Sequence, residues 1–315
     1  MNHALTALTE ELRRLKAAGV KTVSVSDESL ALLRSARARV TSNNHRVPAT
    51  ETQSIASKPD PTPEAKIKTP PKSTTAAPSV APVEEASAVP TVPPPVPFAL
   101  PQGDKAARMQ ALREHVLNDA VCRANVRTGK QIVLGAGSLD AKIMFVGEAP
   151  GADEEDQGVP FVGPAGQLLD KMILAMGLTR SDVYIGNIMN WRPQLQVNES
   201  GVQYGNRPPN SNEMTYCLPY LRAQIEIVEP ELLVALGTTA AQGLLGAGSF
   251  KALGDVRGQW KEFSGRPLMV TYHPSYILRN QSNRSKRMIW EDLLKVMERA
   301  GLPISDKQRA YFLDK

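Results

Sequence analysis

Residues Ala141–Asp170 read AKIMFVGEAPGADEEDQGVPFVGPAGQLLD. A short apolar, strand-prone run ends at a GEAPG turn, passes through a loop dense in carboxylates and glycines with one aromatic, and gives way to a helical pattern. The same alternation recurs downstream. DVYIGNI is followed by SNEMTYCLPYLRAQIEIV, ELLVALG by TTAAQGLLG, and RPLMVTYH, after a loop, by SKRMIWEDLLKVMERAG. Repeated strand–helix alternation predicts an α/β fold, a parallel sheet covered by helices on both faces. In such sheets ligands bind beyond the carboxyl ends of the strands. That rule puts Glu148, Asn187, Gly237 and His273 along one edge, each at or just after the end of a predicted strand.

Outward from this region the composition changes. Between Asn43 and Gly103 the chain is rich in Pro, Ala, Ser, Thr and Val, with runs such as KTPPKSTTAAPS and VPTVPPPVPFALP. Proline removes backbone donors and fixes φ, so this stretch is expected to be an extended, disordered tether. Ahead of it, Leu5, Leu8, Leu12 and Leu15 fall at helical spacing, and Ser26 is placed to cap a second helix whose first turn holds Asp27 and Glu28. Some forty residues bury little surface alone, so this segment is expected to dock a partner protein. The chain thus divides into an N-terminal helical docking segment (1–42), a Pro/Ala/Ser-rich linker (43–103), an α/β domain (104–302) and a C-terminal tail (303–315).

The 315 residues carry 37 basic and 32 acidic side chains, a net charge of +5, which suits an anionic partner without proving one. No stretch reaches the roughly 18 apolar residues that cross a bilayer, and the N-terminus lacks a basic region followed by an apolar one. A cytoplasmic monomer is expected. Only Cys122 and Cys217 are present, and reduced thiols are expected for both.

Several loop residues carry possible chemistry. Gly147, Pro150 and Gly151 allow a tight turn that exposes backbone amides to a ligand, and Glu148 adds a carboxylate. Phe161 either packs on the core or offers its face to a flat ligand. The Asn187 amide presents a donor and an acceptor, the pattern that reads the O4 and N3 edge of a pyrimidine, or else bonds neighbouring backbone. Pro274 disfavours the helical region for His273 before it, which marks His273 as a strand terminus. There an imidazole is either structural or donates a hydrogen bond to charge growing on a leaving base. In PSYILRNQSNRSKR, Arg279, Arg284, Lys286 and Arg287 flank Tyr276, Ile277 and Leu278. Such a segment either wedges into a duplex while the cations hold phosphates or forms a solvated basic loop.

Taken together, these segments resemble the uracil-DNA glycosylase superfamily, most closely the bacterial and archaeal family-four enzymes that normally carry an iron–sulfur cluster. The resemblance covers about Ala106 to Ala300 and rests on GEAPG, the acidic stretch to Gly158, PFVGPAGQLLD, YIGN, NRPP ahead of Glu213, and TYHPSYILR. It implies a three-layer α/β/α sandwich around a short parallel sheet, and hydrolysis of deoxyuridine in DNA by base flipping. It also assigns roles. Gly147, Glu148, Ala149, Pro150 and Gly151 contact the everted base and help hold the attacking water; Glu154 matches a second family carboxylate and is expected to act with the catalytic Glu148 in holding that water. Phe161 stacks on uracil, Asn187 reads it, and His273 is the catalytic histidine. Ser275, Tyr276, Arg279, Arg284, Lys286 and Arg287 are expected on the DNA.

The departures are in the cluster and one insertion. The family's four cysteine positions fall on Cys122, Asn125, Trp191 and Cys217, so two ligands are gone, and an indole offers a metal no lone pair. No iron–sulfur cluster is therefore expected, with Cys122 and Cys217 as remnants and Trp191 filling part of the volume. Gln194–Gly205 separates WRP from NRPP and contains no histidine, which disfavours the covalent capture of uracil that a related branch performs from a loop in this region. Two alternatives stay open: a non-catalytic DNA- or nucleotide-binding protein on the same fold, and a glycosylase for another deaminated base.

Overall fold

The sequence alternation materialises as a six-stranded sheet in a computed structural model, which describes residues 92–195, 203 and 205–313. The strands are β1 (Ala136–Gly137), β2 (Ile143–Gly147), β3 (Tyr184–Asn187), β4 (Leu232–Leu236), β5 (Trp260–Phe263) and β6 (Arg266–Thr271). Their order across the sheet is β1-β3-β2-β4-β6-β5. The four central strands pair in parallel, and the two edges are antiparallel. The sheet is thus mixed where a parallel one was expected. The difference at one edge is a hairpin: Ser264 (φ 51) and Gly265 (φ 72) form a two-residue turn with both φ values positive, which returns β5 onto β6.

The helices of the described residues are α1 (Lys105–Asn118), α2 (Ala120–Ala124), α3 (Ala152–Gln157), α4 (Pro164–Ala175), α5 (Ser211–Val228), α6 (Thr238–Leu245), α7 (Pro274–Arg279), α8 (Asn283–Arg299) and α9 (Asp306–Arg309). Side chains alternate between sheet faces with a period of two, so each strand feeds two cores. Met144, Val146, Leu233, Ala235, Leu268 and Val270 pack with α1, α2, α5 and α6. Ile143, Phe145, Ile185, Val234, Leu236 and Met269 pack with α4 and α8. The result is the expected three-layer α/β/α sandwich. The start of α5 explains one sequence motif: Asn210 and Glu213 form a reciprocal cap (2.8 and 2.9 Å), and Arg207 grips the Glu213 carboxylate with two bonds (2.6 and 2.8 Å).

The end of the expected tether departs from disorder. Residues 92–101 form neither helix nor strand and lie against the domain, with Val92, Pro95 and Phe98 half-buried and Pro93, Pro94, Val96 and Pro97 exposed. That spacing of three matches the three residues per turn of a polyproline helix, a periodicity that turns one apolar row toward the protein. Phe98 anchors it, stacked on His115 at 4.6 Å and tilted against Tyr220 at 5.3 Å. The C-terminal tail is also docked: Trp290 donates to the Gln308 carbonyl (2.6 Å), and Gln308 donates to the Ala175 carbonyl (2.9 Å). The N-terminal helices expected in 1–42, and the linker as far as residue 91, lie outside the described residues.

Candidate active site

The strand register builds the site. Gly147 pairs with Asn187, and Leu236 with Thr271, so the carboxyl ends of β3, β2, β4 and β6 align in that order. The chain leaves this edge at Glu148, Ile188, Gly237 and Tyr272, and the loops enclose a cleft of about 810 Å³. Glu148, Phe161, Asn187 and His273 all line it, as do Ala149, Pro150 and Gly151. Gly147 does not line the cleft but backs the residues that do: a Cβ there would overlap the Asn187 amide oxygen and come within 2.5 Å of the Phe161 ring. Glycine is required at this point because the aromatic and the amide both close on it. Gly237 (φ 92) is similarly tight, since a Cβ there would lie 3.0 Å from the His273 Cβ.

Phe161 and His273 lie tilted with ring centroids 5.6 Å apart. Phe161 is 5% exposed and Asn187 6% exposed, and the Asn187 Oδ1 has no hydrogen-bond partner among the described residues. A buried acceptor left open costs stability unless a ligand fills it. His273 caps α7: its Nδ1 accepts from the Ser275 amide (3.2 Å) and lies 2.9 Å from the Ser275 hydroxyl. An accepting Nδ1 leaves the proton on Nε2, so the ring presents a donor. Burial, with the nearby Arg279 cation, pushes its pKa down to about 4, and the imidazole is neutral at pH 7. Burial raises the pKa of Glu148, against a hydrogen bond from Thr239 that lowers it.

Glu154 lines the cleft and also bonds its walls. Its Oε1 accepts from the Val162 and Gly163 amides (both 3.0 Å), and its Oε2 from the Gly151 amide (3.0 Å). The carboxylate thus ties the GEAPG turn to the Phe161 loop while it lines the cleft beside Asp153. Glu155, 4% exposed, pairs with Arg127 and with Arg192 (2.7 Å), and Arg192 reaches Asn206 and the Gly205 carbonyl. This buried network joins the acidic loop to the far end of the 194–205 insertion, most of which lies outside the described residues.

The expected DNA-facing residues separate into two groups. Ser275, Tyr276 and Arg279 line the cleft, and Tyr276 stacks on Tyr272 at 4.3 Å. Leu278 projects beside them, 41% exposed, while Ile277 is buried. Arg284 is exposed away from the cleft lining. Arg287 bonds Glu291 and the carbonyls of Arg309 and Tyr311 (2.7 and 2.9 Å), and Lys286 lies over the Phe312 ring at 6.0 Å. These two hold the C-terminal tail, a role invisible in sequence because their partners are backbone and a ring. Arg192, Asn206, Arg207, Thr238, Thr239 and Leu253 also line the cleft, beyond the residues that the sequence pointed to. The helical start after Gly237 was a usable signal for the two threonines.

The residues at the family's cluster positions do not fit an iron–sulfur cluster. Cys122 and Cys217 are free and buried, and the Asn125 amide turns back onto the Val121 carbonyl (2.9 Å). Trp191 is 1% exposed within the same core, tilted against Tyr216 at 6.1 Å, and its Nε1 lacks a partner among the described residues. Beside it, Asp119 accepts from the Tyr216 and Tyr220 hydroxyls (2.7 and 3.1 Å). Among the described residues no group of three or more His, Cys, Asp or Glu side chains could hold a metal ion.

The family model of the Uracil DNA glycosylase superfamily matches residues 134–294. The chain is similar to a type-4 uracil-DNA glycosylase of Thermotoga maritima, 38% identical over 188 residues, covering 59% of this chain and 92% of that protein. It is 39% identical over 186 residues to a type-4 uracil-DNA glycosylase of Pyrobaculum aerophilum (56% and 88% covered) and 36% identical over 204 residues to that of Sulfurisphaera tokodaii (62% and 86% covered). A cleft lined by Glu148–Gly151, Phe161, Asn187 and His273, together with near full-length coverage of these relatives, means that the chain belongs to the uracil DNA glycosylase superfamily, in its type-4 branch.

Proposed function

We propose that this protein is a uracil-DNA glycosylase that everts deoxyuridine into the cleft and hydrolyses its N-glycosidic bond, in base excision repair of deaminated cytosine. One observation carries the reading: an aromatic face, an open amide acceptor, a neutral imidazole and a carboxylate share one cleft. Phe161 stacks on the base, and Asn187 accepts from N3–H and donates to O4. As the C1′–N1 bond breaks, its electron pair passes to the base, and the His273 Nε2–H donates to the charge on O2. The sugar gains oxocarbenium character. Water adds to C1′ and loses a proton, and the uracil anion takes up a proton from solvent, leaving uracil and an abasic deoxyribose. Glu148 holds that water. Ala149 places no second carboxylate at the turn, so electrostatic stabilisation contributes more than activation of water.

Arg279, Ser275 and Tyr276 meet the DNA backbone at the cleft, while Leu278 enters the stack vacated by the base. The protein acts as a cytoplasmic monomer without an iron–sulfur cluster, its two thiols reduced and Trp191 occupying cluster volume. No helix of the described residues is long and apolar enough to cross a membrane. Residues 1–42 recruit a partner protein. Incubation with labelled strands containing uracil, hypoxanthine or a thymine mismatch, followed by alkali, tests the activity: cleavage at uracil is expected. A gel shift without cleavage favours a binding protein, and preferential cleavage at hypoxanthine a different base. Iron analysis tests the cluster: a brown preparation containing iron would overturn its absence.

A further inference from the structure

Phe161 has an unusual backbone for an aromatic residue. Its φ is 54, in the left-handed region that side chains other than glycine rarely adopt. Something must hold it there. On one side Glu154 takes the amides of Val162 and Gly163. On the other, the Arg180 guanidinium donates to both carbonyls that flank the Phe161 nitrogen and Cα: Nη1 to the Phe161 oxygen (3.0 Å) and Nη2 to the Pro160 oxygen. Asp170, on α4, holds the same Nη1 at 2.9 Å. Gly166 completes the seat, because a Cβ there would overlap the Phe161 carbonyl.

We propose that Arg180 is a positioning residue, setting the plane of the Phe161 ring and through it the affinity for the flipped base. It sits in the short 3₁₀ turn Arg180–Asp182 ahead of β3 and does not line the cleft, so it acts only through the loop it grips. A planar fork with several donors can hold two adjacent carbonyls and a carboxylate together, and a lysine ammonium, a point charge, cannot do so in the same geometry. The inference rests on Phe161 as the base-stacking aromatic.

The test is a double-mutant cycle in single-turnover excision of a uracil-containing strand, with inhibition by free uracil as a second readout. Arg180→Ala is expected to lower kcat/KM and to weaken uracil inhibition, each by about tenfold, and Arg180→Lys to restore little of either. In a Phe161→Ala background Arg180→Ala should add less than about twofold, since its effect passes through the ring. Thermal melts run in parallel. If Arg180→Ala does not fold at the assay temperature, Asp170→Asn, which releases the guanidinium more gently, takes its place in the cycle. Effects that multiply independently, or an unchanged uracil affinity in a folded Arg180 variant, overturn the proposal. A Phe161→Ala enzyme as active as the parent overturns instead the stacking reading on which it rests.

Discussion

Truncating Trp191 to alanine tests the idea that a side chain has taken over volume that a cluster fills in related enzymes. The indole is 1% exposed and shares a core with Cys122, Tyr216 and Cys217. Removing a buried tryptophan of this kind costs about 3–5 kcal/mol, from lost apolar burial and from the cavity left behind. In a domain of roughly two hundred residues that corresponds to a fall in Tm of about 6–20 °C. Trp191→Phe behaves differently. It loses part of the volume but also removes an indole N–H that has no partner among the described residues, a buried donor whose isolation costs about 1–3 kcal/mol. The two effects oppose one another, and a net change near 1 kcal/mol is expected. Differential scanning calorimetry of the parent and both variants, with iron measured on the same samples, reads the result. A Trp191→Ala variant melting within about 2 °C of the parent would show that the indole fills nothing, and the reasoning fails.

Other perturbations separate roles that sequence alone merged. Glu154→Gln replaces one acceptor by an N–H₂ group facing backbone amides, so stability should fall by about 1–2 kcal/mol and KM should rise; an unchanged KM contradicts the clamp. Arg279→Ala should weaken DNA binding and reduce the slope of log K against log salt by about 1, whereas Arg287→Ala should lower Tm and leave that slope alone. In pH–rate profiles, His273, held near 4, should produce no inflection around its ordinary 6.5, and activity should decline on acidification through the raised range of Glu148. The unfolded chain takes up the His273 proton below 6.5 and the folded one only near 4, so this group should also make stability fall as pH drops between those values.

The central strands were legible because each is a short apolar run ending in glycine, asparagine or His-Pro, and the rule about strand ends then collected Glu148, Asn187, Gly237 and His273 on one edge. The flanking strands were not. β5 reads WKEF with only Phe263 buried, too polar to stand out without its hairpin partner, and β1 has two residues. Spacing also cannot show that the Glu154 carboxylate, besides lining the cleft, accepts three backbone amides of two different loops. Basic residues near the cleft pose the same problem: Arg279 and Arg287 look alike in sequence, and only the position of the docked tail separates them. Arg180 gives no signal, since its partners include the carbonyls of residues 19 and 20 positions earlier.

The claim that four scattered groups act on one everted base is tested most directly by His273→Ala in single-turnover excision, with DNA affinity measured alongside. Loss of a donor aimed at developing charge predicts a rate lower by about 10²–10³-fold with binding retained. An unchanged rate would contradict the account.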